Sequence, residues 1–432
     1  MAEIRPFKAL RYTDVAGSLS DLVAPPYDVI SEERQRALYD RSEYNIVRVE
    51  YGETRPDDSV QSNRYTRAAA MVRAWREGGA LAEDAEPALY VYAQDFDYAG
   101  ESYRRTGVLA AVRLEPFESG IVKPHEFTMT GPKEDRFHLL QAVKVNTSPV
   151  FGMVRDREGL LRAFIDTVMR EKPTATATDD LGQAHSLWRV ADSPEVSELH
   201  TALLEEAIYI ADGHHRYETA LRYRDAIAPQ DESHPANFVL MALVCANDPG
   251  LVIRPIHRLV NPANDGSSLL SDLARAWEVN GIVPTGGRNA VETVLRQMSA
   301  EGHYNTVFGM IRKSGVSRVS LRNIDAVMAH MPDELPDAAR DLDVERLQHG
   351  ILQPMLGIGA KQLASGDYVS FTEDAADAAE AVADGRCQVA FLINPTRTEQ
   401  VLDVADAGAR MPQKSTFFYP KLGTGLVMRS IA

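Results

Sequence analysis

A group of ionisable residues stands where an apolar run meets a helical pattern, in the stretch AIYIADGHHRYETALRYRDA at residues 207–226. The β-branched run AIYIA predicts a buried strand, and the spacing of Tyr217 and Leu221 predicts a helix after it. Asp212 and Gly213 then form the sharp turn between the two elements. Because the first N–H groups and the positive end of a helix face one point, such a junction suits a bound phosphate.

The side chains at this turn add to that chemistry. His214, His215 and Arg216 supply charge-assisted hydrogen-bond donors for phosphate oxygens. Asp212 is an acid among anion-binding groups, which predicts a Mg²⁺ ligand or a group that orients a nucleophile. The alternative is that Asp212 only caps the helix while the histidines pack, but capping leaves the consecutive histidines and the arginine unaccounted for. A zinc site is disfavoured because HHRYE lacks histidines at positions i and i+4.

A second cluster lies in IVKPHEFTMTGPKEDR, residues 121–136. Its prolines and glycine predict a loop between β-type segments, and such loops often carry substrate sites. Lys133 and Arg136 are predicted to hold an anion, either donor phosphates or a substrate carboxylate. The alternative is a solvated charged loop.

Two further segments carry single candidates. In APPYDVIS the two prolines stiffen the backbone before Asp28, which predicts a fixed carboxylate able to act as general base on a hydroxyl, or else a turn residue. In KSTFFYPKLGTGLVM near the C-terminus, Lys414 and Lys421 stand around aromatic residues, and a turn between two strands suffices to explain the segment. NIVRVEYG, residues 45–52, is predicted to be a short strand.

The elements that must position these residues predict a mixed α/β (α+β) fold. Runs such as ALYVYAQDFDY and SYRRTGVLAAVRLE alternate apolar and polar residues, which predicts a largely antiparallel β layer over about 88–192. The last third of the chain alternates helical and strand patterns and reads as a separate α/β layer.

Composition narrows the function classes. A chain of 432 residues predicts two or three domains. Its two cysteines have no metal or disulfide spacing, which favours a reducing, cytoplasmic location. No window reaches the roughly 18 apolar residues of a membrane span. The net charge of −16 argues against a nucleic-acid partner. Whether the chain forms a homo-oligomer is left open.

Several blocks in order resemble the bacterial family called domain of unknown function 1015, namely RPFKALRY, VAPPYDVIS, VKPHEFT with GPKEDR, NTSPVF, IADGHHRYETAL, RPIHR and MPQKSTFFYPKL with GLVMRS. The DGHHR block and the early acid-bearing loop also resemble the free-serine kinases of the ParB-like superfamily. That resemblance implies donor phosphates at the DGHHR residues and an N-terminal acid acting on the serine hydroxyl. The acid is Asp28 here, where those kinases carry glutamate.

The resemblance implies a ParB-like kinase core from residues 1–60 plus 195–265, an inserted antiparallel β-rich segment at 61–194, and a C-terminal α/β domain at 266–432. The implied reaction is phosphorylation of free L-serine to O-phospho-L-serine, with Mg²⁺ and with pyrophosphate or a nucleoside di- or triphosphate as donor. The alternatives are a nucleotide-binding regulatory switch and a metal-dependent phosphate-ester hydrolase. The predicted site residues are catalytic Asp28, Asp212 and His214, phosphate-binding Gly213, His215, Arg216, Lys133 and Arg136, substrate-binding His125, Glu126, Thr128 and Asn146, and Asp212 as metal ligand.

Overall fold

The structure is a computed structural model that describes residues 2–128, 130–264, 266–283 and 288–432. It has a mixed α/β fold, as predicted, and divides into two compact units. Unit 1 contains Met1–Pro124, Thr128–Val252 and Pro420–Ala432, and unit 2 contains His125–Phe127 and Ile253–Tyr419. Among the helices of the described residues, none is long and apolar enough to span a membrane.

Up to Cys245, the described residues of unit 1 form twelve strands and eight helices, of which two, at Leu19–Leu22 and Val47–Glu50, are single turns. In chain order they are β1 (Ile4–Arg5), β2 (Ala9–Tyr12), α1 (Leu19–Leu22), α2 (Glu32–Arg41), α3 (Val47–Glu50), α4 (Arg64–Glu77), β3 (Leu81–Glu83), β4 (Ala88–Tyr98), β5 (Glu101–Arg113), β6 (Val122–Lys123), α5 (Thr130–Val143), β7 (Val145–Asn146), β8 (Val150–Val154), α6 (Leu160–Val168), β9 (Ala175–Thr178), β10 (Ala184–Ala191), α7 (Pro194–Leu204), β11 (Ile208–Asp212), α8 (His214–Ile227) and β12 (Phe238–Cys245).

Unit 2 alternates short helices with strands and is followed by one last strand that returns to unit 1. In chain order the elements are β13 (Val252–Arg254, at the boundary), β14 (His257–Val260), α9 (Leu269–Leu273), β15 (Trp277–Val283), α10 (Arg288–Glu301), β16 (Val307–Arg312), β17 (Gly315–Leu321), α11 (Ile324–Met328), α12 (Asp337–Arg340), α13 (Asp343–Leu347), α14 (Gln353–Leu356), α15 (Ala360–Ser365), β18 (Val369–Thr372), α16 (Ala375–Ala383), β19 (Val389–Leu392), α17 (Thr398–Asp406), β20 (Phe417–Tyr419) and, in unit 1, β21 (Met428–Ser430).

The main sheet of unit 1 has the strand order β6-β11-β8-β12-β5-β4-β10-β9, with β1 also paired to β5. Its pairs are antiparallel except β6 with β11 and β8 with β12, which are parallel. Apolar residues of α6, α7 and α8 join the buried core that this sheet forms. The predicted alternating strands are confirmed, since ALYVYAQDFDY is β4 and the run after it contains β5.

A smaller sheet in unit 1 has the order β3-β2-β21-β7. It brings the end of the chain beside the N-terminal segment, because β21 pairs with β2 on one side and with β7 on the other. Met428 in β21 is completely buried in a core shared with α2, α3 and α4.

Unit 2 is built on a six-stranded antiparallel sheet with the order β15-β17-β16-β19-β14-β18. The apolar faces of α10 and α16 cover it and form a separate core with the sheet. The alternating helical and strand patterns in the last third of the chain therefore form an α/β unit, as predicted.

The boundaries of the two units differ from the predicted domain boundaries. Strands from the predicted insertion at 61–194 hydrogen-bond to β11 and β12 in one continuous sheet, so the insertion and the core are a single unit. Unit 2 starts at Ile253 rather than 266 and ends at Tyr419. These boundaries depend on which distant strands pair with each other. The apolar periodicity within one segment predicts a strand but not its pairing partner.

Two predictions of local structure are wrong. NIVRVEYG is not a strand, because Asn45 caps a helical turn there: its side-chain oxygen accepts from Val47 N at 2.9 Å while its amide donates to the carbonyls of Asp21 and Val23. The segment after Met129 is not a loop but the start of α5. A proline in the first helical turn lacks only an N–H that has no intrahelical partner, so it does not prevent the helix.

Candidate active site

The junction between β11 and α8 forms as the sequence predicted. Asp212 is the last residue of β11, and α8 begins at His214. Gly213 between them has φ +88°, and a Cβ added there would lie 3.0 Å from the Arg216 guanidinium. Only glycine takes this conformation without strain while allowing that close approach. The turn therefore holds the first turn of α8 and the Asp212 carboxylate at one place.

Asp212 lies between two cations. Its Oδ1 contacts Lys421 Nζ in a short ion pair, and its Oδ2 accepts from Arg216 Nη2 at 2.7 Å. Burial raises the pKa of Asp212, but the Lys421 ammonium and the Arg216 guanidinium outweigh burial and hold this pKa at about 2. Asp212 is therefore ionised at neutral pH and orients both cations.

Lys421 joins Asp212 to the predicted base. Its Nζ lies 3.7 Å from Asp28 Oδ2, and Asp28 stands in a 3₁₀ turn at Tyr27–Val29 directly after the two prolines. Burial lowers the pKa of Lys421, whereas the carboxylates of Asp212 and Asp28 raise it above its ordinary value. The side chain of Asp28 is 40% exposed and that of Lys421 only 12%, so Asp28 is the member of the group that faces solvent.

The turn that carries Lys421 is held from two directions. Thr424 and Ala24 exchange backbone hydrogen bonds, which fixes residues 420–425 next to the proline-rich loop before Asp28. On the side of the main sheet, the buried Arg105 of β5 donates through Nη2 to the carbonyl of Pro420 at 2.6 Å and to the Gln94 side chain. Gln94 in turn donates to the carbonyl of Lys421 at 3.1 Å. The backbone on both sides of the Lys421 side chain is therefore anchored.

His215, Lys133 and Thr128 lie on the same side of the junction. Burial lowers the pKa of His215, and the charges of Glu218, Asp28, Lys133 and Asp212 act on this pKa next. Glu218, one turn along α8, accepts from Lys133 Nζ at 2.9 Å and from Thr128 Oγ1 at 2.8 Å. His214 is the first residue of α8 and is buried, and its charge acts on Asp212.

Arg136 and Asn146 are interior. Arg136 is 6% exposed, pairs with Asp135 and with Glu50, and stacks its guanidinium 4.1 Å from the centre of the Tyr27 ring. This contact supports the residue directly before Asp28. Asn146 accepts from Leu240 N at 3.1 Å. Arg136, Asn146 and Glu50 line one small cavity of about 40 Å³ that also reaches Arg216.

His125 and Glu126, the other two predicted substrate contacts, belong to unit 2. His125 Nε2 lies 2.9 Å from Thr416 Oγ1, and Glu126 Oε1 accepts from Lys414 N at 2.9 Å. Within unit 1 the structure gathers Asp28, Asp212, Gly213, His214, His215, Arg216, Lys133 and Thr128 around the junction.

Three further residues of the candidate site are not among the residues predicted from the sequence. The sequence predicts only a turn at Lys421. The signal for a site residue there is a lysine between Pro420 and Leu422, directly before Gly423-x-Gly425. Glu218 follows His214 by four positions and so shares its helix face, which was readable from the helical period. Glu50 was placed in a strand, and nothing local marked it as a buried carboxylate that takes hydrogen bonds from Thr147 and Ser148.

The contacts of Asp212 do not fit a Mg²⁺ ligand in this arrangement, because cations take both of its oxygens. Within the described ranges no group of three or more His, Cys, Asp or Glu side chains could hold a metal ion. The participation of Mg²⁺ stays a prediction, and no step below depends on it.

A family model described as protein of unknown function (DUF1015) matches residues 4–345. The chain belongs to this family. The match confirms the resemblance found in the sequence, and the description of DUF1015 assigns no activity. A comparison with curated proteins found no significant match.

Three solved structures are similar to this DUF1015 chain. A free serine kinase in complex with AMP is 12% identical, with a TM-score of 0.34 over 72% of this chain and 86% of that chain. A conserved hypothetical protein from Pyrococcus furiosus is 12% identical, with a TM-score of 0.33 over 73% and 92%. SbnI with a C-terminal truncation from Staphylococcus aureus is 10% identical, with a TM-score of 0.34 over 72% and 84%. At these TM-scores the three structures support no conclusion about function.

Proposed function

We propose that unit 1 is a phosphotransferase that moves a phosphoryl group to the hydroxyl of free L-serine and forms O-phospho-L-serine. The observation that carries this proposal is the placement of one ammonium, Lys421, between Asp212 at the end of β11 and the exposed Asp28. Phosphoryl transfer requires positioning and neutralisation of oxygen charge more than covalent help from the protein. Cations beside an accessible carboxylate supply both requirements.

The phosphoryl donor is assigned to the cationic side of this group. Lys421 and Arg216 are positively charged at neutral pH, and the positive end of α8 adds its N–H groups. Asp212 stays ionised and holds both cations in place. In this proposal Asp212 is therefore a residue that positions the phosphate-binding groups, and Lys133 with His215 borders the donor.

The acceptor is assigned to Asp28. The Asp28 carboxylate takes the proton of the serine hydroxyl as the serine Oγ forms a bond to the terminal phosphorus. The bond from that phosphorus to its bridging oxygen breaks, and the leaving group departs as phosphate, a nucleoside monophosphate or a nucleoside diphosphate, according to the donor. Serine is chosen as acceptor on the resemblance of the DGHHR block to free-serine kinases.

The experiment is an assay with pyrophosphate, ADP and ATP in parallel, with L-serine and Mg²⁺, followed by ³¹P NMR. We expect a phosphoserine signal, and Asp28→Asn should lower the rate by about 10²–10⁴, the usual contribution of a general base. Asp40→Asn, an exposed acid in α2, is the matched control and should keep the wild-type rate.

Other results assign the protein differently. Nucleotide binding without phosphate on any amino acid would identify a regulatory switch. Release of phosphate without an acceptor would identify a hydrolase. Wild-type turnover by Asp28→Asn would remove Asp28 from the reaction. Repeating the assay with EDTA tests the predicted need for Mg²⁺.

A further inference from the structure

Unit 2 contains a polar cavity of about 310 Å³ that the proposed phosphotransfer does not use. It lies where the end of α10, the start of α13 and the start of α17 meet. Its lining is mostly hydrogen-bonding side chains, and those that carry charge are Asp341, Asp343, Arg346 and Arg397. Pockets that bind small molecules start at about this volume.

We divide the four charged side chains into a fixed pair, Arg346 with Asp341, and an open pair, Asp343 with Arg397. Arg346 donates to Asp341 Oδ1 at 2.6 Å and to Thr306 Oγ1 at 2.7 Å, so its guanidinium is held by the protein. Thr306 is buried, and its hydroxyl acts to lower the pKa of Asp343. Arg397, at the start of α17, is exposed and acts on Asp343 through its charge. The open pair is therefore Asp343, which is half-buried, and Arg397, which is exposed.

Asp343 is costly to ionise where it stands. Burial raises the pKa of Asp343 to about 6, although Arg346, Thr306 and Arg397 all act to lower it. Asp343 is half-buried, and a partly desolvated carboxylate that nearby cations only partly compensate gains from a further positive group in contact with it.

We propose that this cavity binds a small zwitterion of the α-amino acid class, with the ligand's ammonium group at Asp343 and its carboxylate at Arg397. The formal charges of the two acids and two arginines balance, so a neutral ligand with separated charges fits better than phosphate, whose charge Asp343 would repel. Among the residues that the structure describes, no group of three or more His, Cys, Asp or Glu side chains could hold a metal ion, so a cation site is not proposed here. The volume admits an amino acid.

This inference does not depend on the proposed phosphotransfer, and its test avoids it. Binding is measured on the full chain carrying Asp28→Asn, without a phosphoryl donor. Thermal-shift screening of the twenty common L-amino acids and inorganic phosphate selects probes, and isothermal titration calorimetry measures them. We expect at least one amino acid to bind with one molecule per chain at this cavity. Its N-acetyl derivative and its amide, each lacking one charge, should bind at least tenfold more weakly.

Variants of the open pair give the decisive comparison. Asp343→Asn and Arg397→Gln should each weaken binding at least tenfold, because each removes one charge-assisted contact. The matched controls are Asp384→Asn and Arg386→Gln, two exposed positions of unit 2 outside the cavity, which should bind as the parent does. Asp343→Asn keeps the size of the side chain and removes a carboxylate whose ionisation is disfavoured at this position, so the variant is expected to fold.

The pH dependence supplies a second readout. Because the ammonium group binds ionised Asp343, affinity should rise as pH rises through about 6 and should lose this dependence in Asp343→Asn. The other titratable side chains that line the cavity are His303, Tyr304 and Asp341, and His303→Gln should keep the dependence. Absence of amino-acid binding, tighter binding of phosphate than of any amino acid, or amino-acid binding that survives both Asp343→Asn and Arg397→Gln would overturn the proposal.

Discussion

Lys421 is in contact with two carboxylates that differ in how firmly they hold it. The ion pair with Asp212 is short and buried, whereas Asp28 Oδ2 lies at 3.7 Å and its side chain is 40% exposed. A phosphate that enters beside α8 would therefore compete with Asp28 for the ammonium, not with Asp212. In the proposed reaction this exchange places the donor on Lys421 and leaves the Asp28 carboxylate available to the serine hydroxyl.

The first prediction concerns the charge of Lys421. Lys421→Met should lower the rate of phosphoserine formation by about 10²–10³, the usual effect of removing one charge-stabilising donor from a reaction centre. It should also destabilise unit 1, because Asp212 then loses its ion pair with Lys421 and keeps Arg216 as its hydrogen-bonded counter-charge. Steady-state kinetics and thermal unfolding monitored by circular dichroism measure the two effects.

Two variants control this measurement. Lys421→Arg keeps the charge and should retain more activity than Lys421→Met. Lys414→Met changes the other lysine of the same C-terminal segment, which is exposed, and should be silent. A folded Lys421→Met protein that phosphorylates serine at the wild-type rate would show that this ammonium plays no part in the reaction.

At the scale of elements, the turn at 420–425 is positioned by strands β4 and β5 through Gln94 and Arg105. Arg105 is 2% exposed, and burial lowers its pKa to about 10, so it stays charged at neutral pH while its Nη2 donates to Pro420 O and to Gln94. A guanidinium can hold two acceptors in a fixed plane, which a lysine cannot reproduce. The buried arginine thus links the centre of the sheet to the backbone that carries Lys421.

The second prediction tests this link. Arg105→Met should raise the KM for the phosphoryl donor by about tenfold, because a loosened turn presents Lys421 less consistently to the donor phosphates. The effect should disappear when Lys421 is already methionine, since two residues that act through one group are not additive. Donor KM values for the single and double variants complete the cycle.

Arg104→Met is the matched control, because Arg104 is the neighbouring residue and pairs with Asp95 on the surface. It should leave the donor KM unchanged. A donor KM that rises equally for Arg105→Met with and without Lys421 would mean that Arg105 supports the fold of unit 1 in general and not this turn.

The sequence predicted the elements that a local residue pattern specifies. It did not predict the elements that depend on contacts with residues distant in the chain. β4 and the β11–α8 junction follow from apolar alternation and the Asp-Gly turn. The helical turn α3 instead depends on Asn45, whose side chain reaches carbonyls at Asp21 and Val23. The structure brings together the predicted residues that one junction supplies, and Lys421, which was not among the predicted site residues, joins them from the far end of the chain.

At the scale of the whole molecule, unit 1 is assembled from three stretches of chain, and the last of them is short. Pro420–Ala432 follows unit 2 in sequence but pairs β21 with β2 and β7, near the N-terminal segment. Lys421 and strand β21 therefore join unit 1 only after unit 2 has been synthesised. Unit 2 keeps its own sheet, core and cavity.

The third prediction follows from this order. A chain that ends at Tyr419 loses Lys421, the strand β21 and the buried side chain of Met428, so phosphoserine formation should be abolished and the melting transition of unit 1 should move to lower temperature. Amino-acid binding at the Asp343 cavity of unit 2 should persist, because its lining residues all lie between 299 and 400.

A chain that lacks only the exposed Ala432 is the matched control and should behave as the full chain. Calorimetric binding and the ³¹P NMR assay on the same three proteins separate the two units, and serine phosphorylation by the chain ending at Tyr419 would contradict the assignment of the site to Lys421.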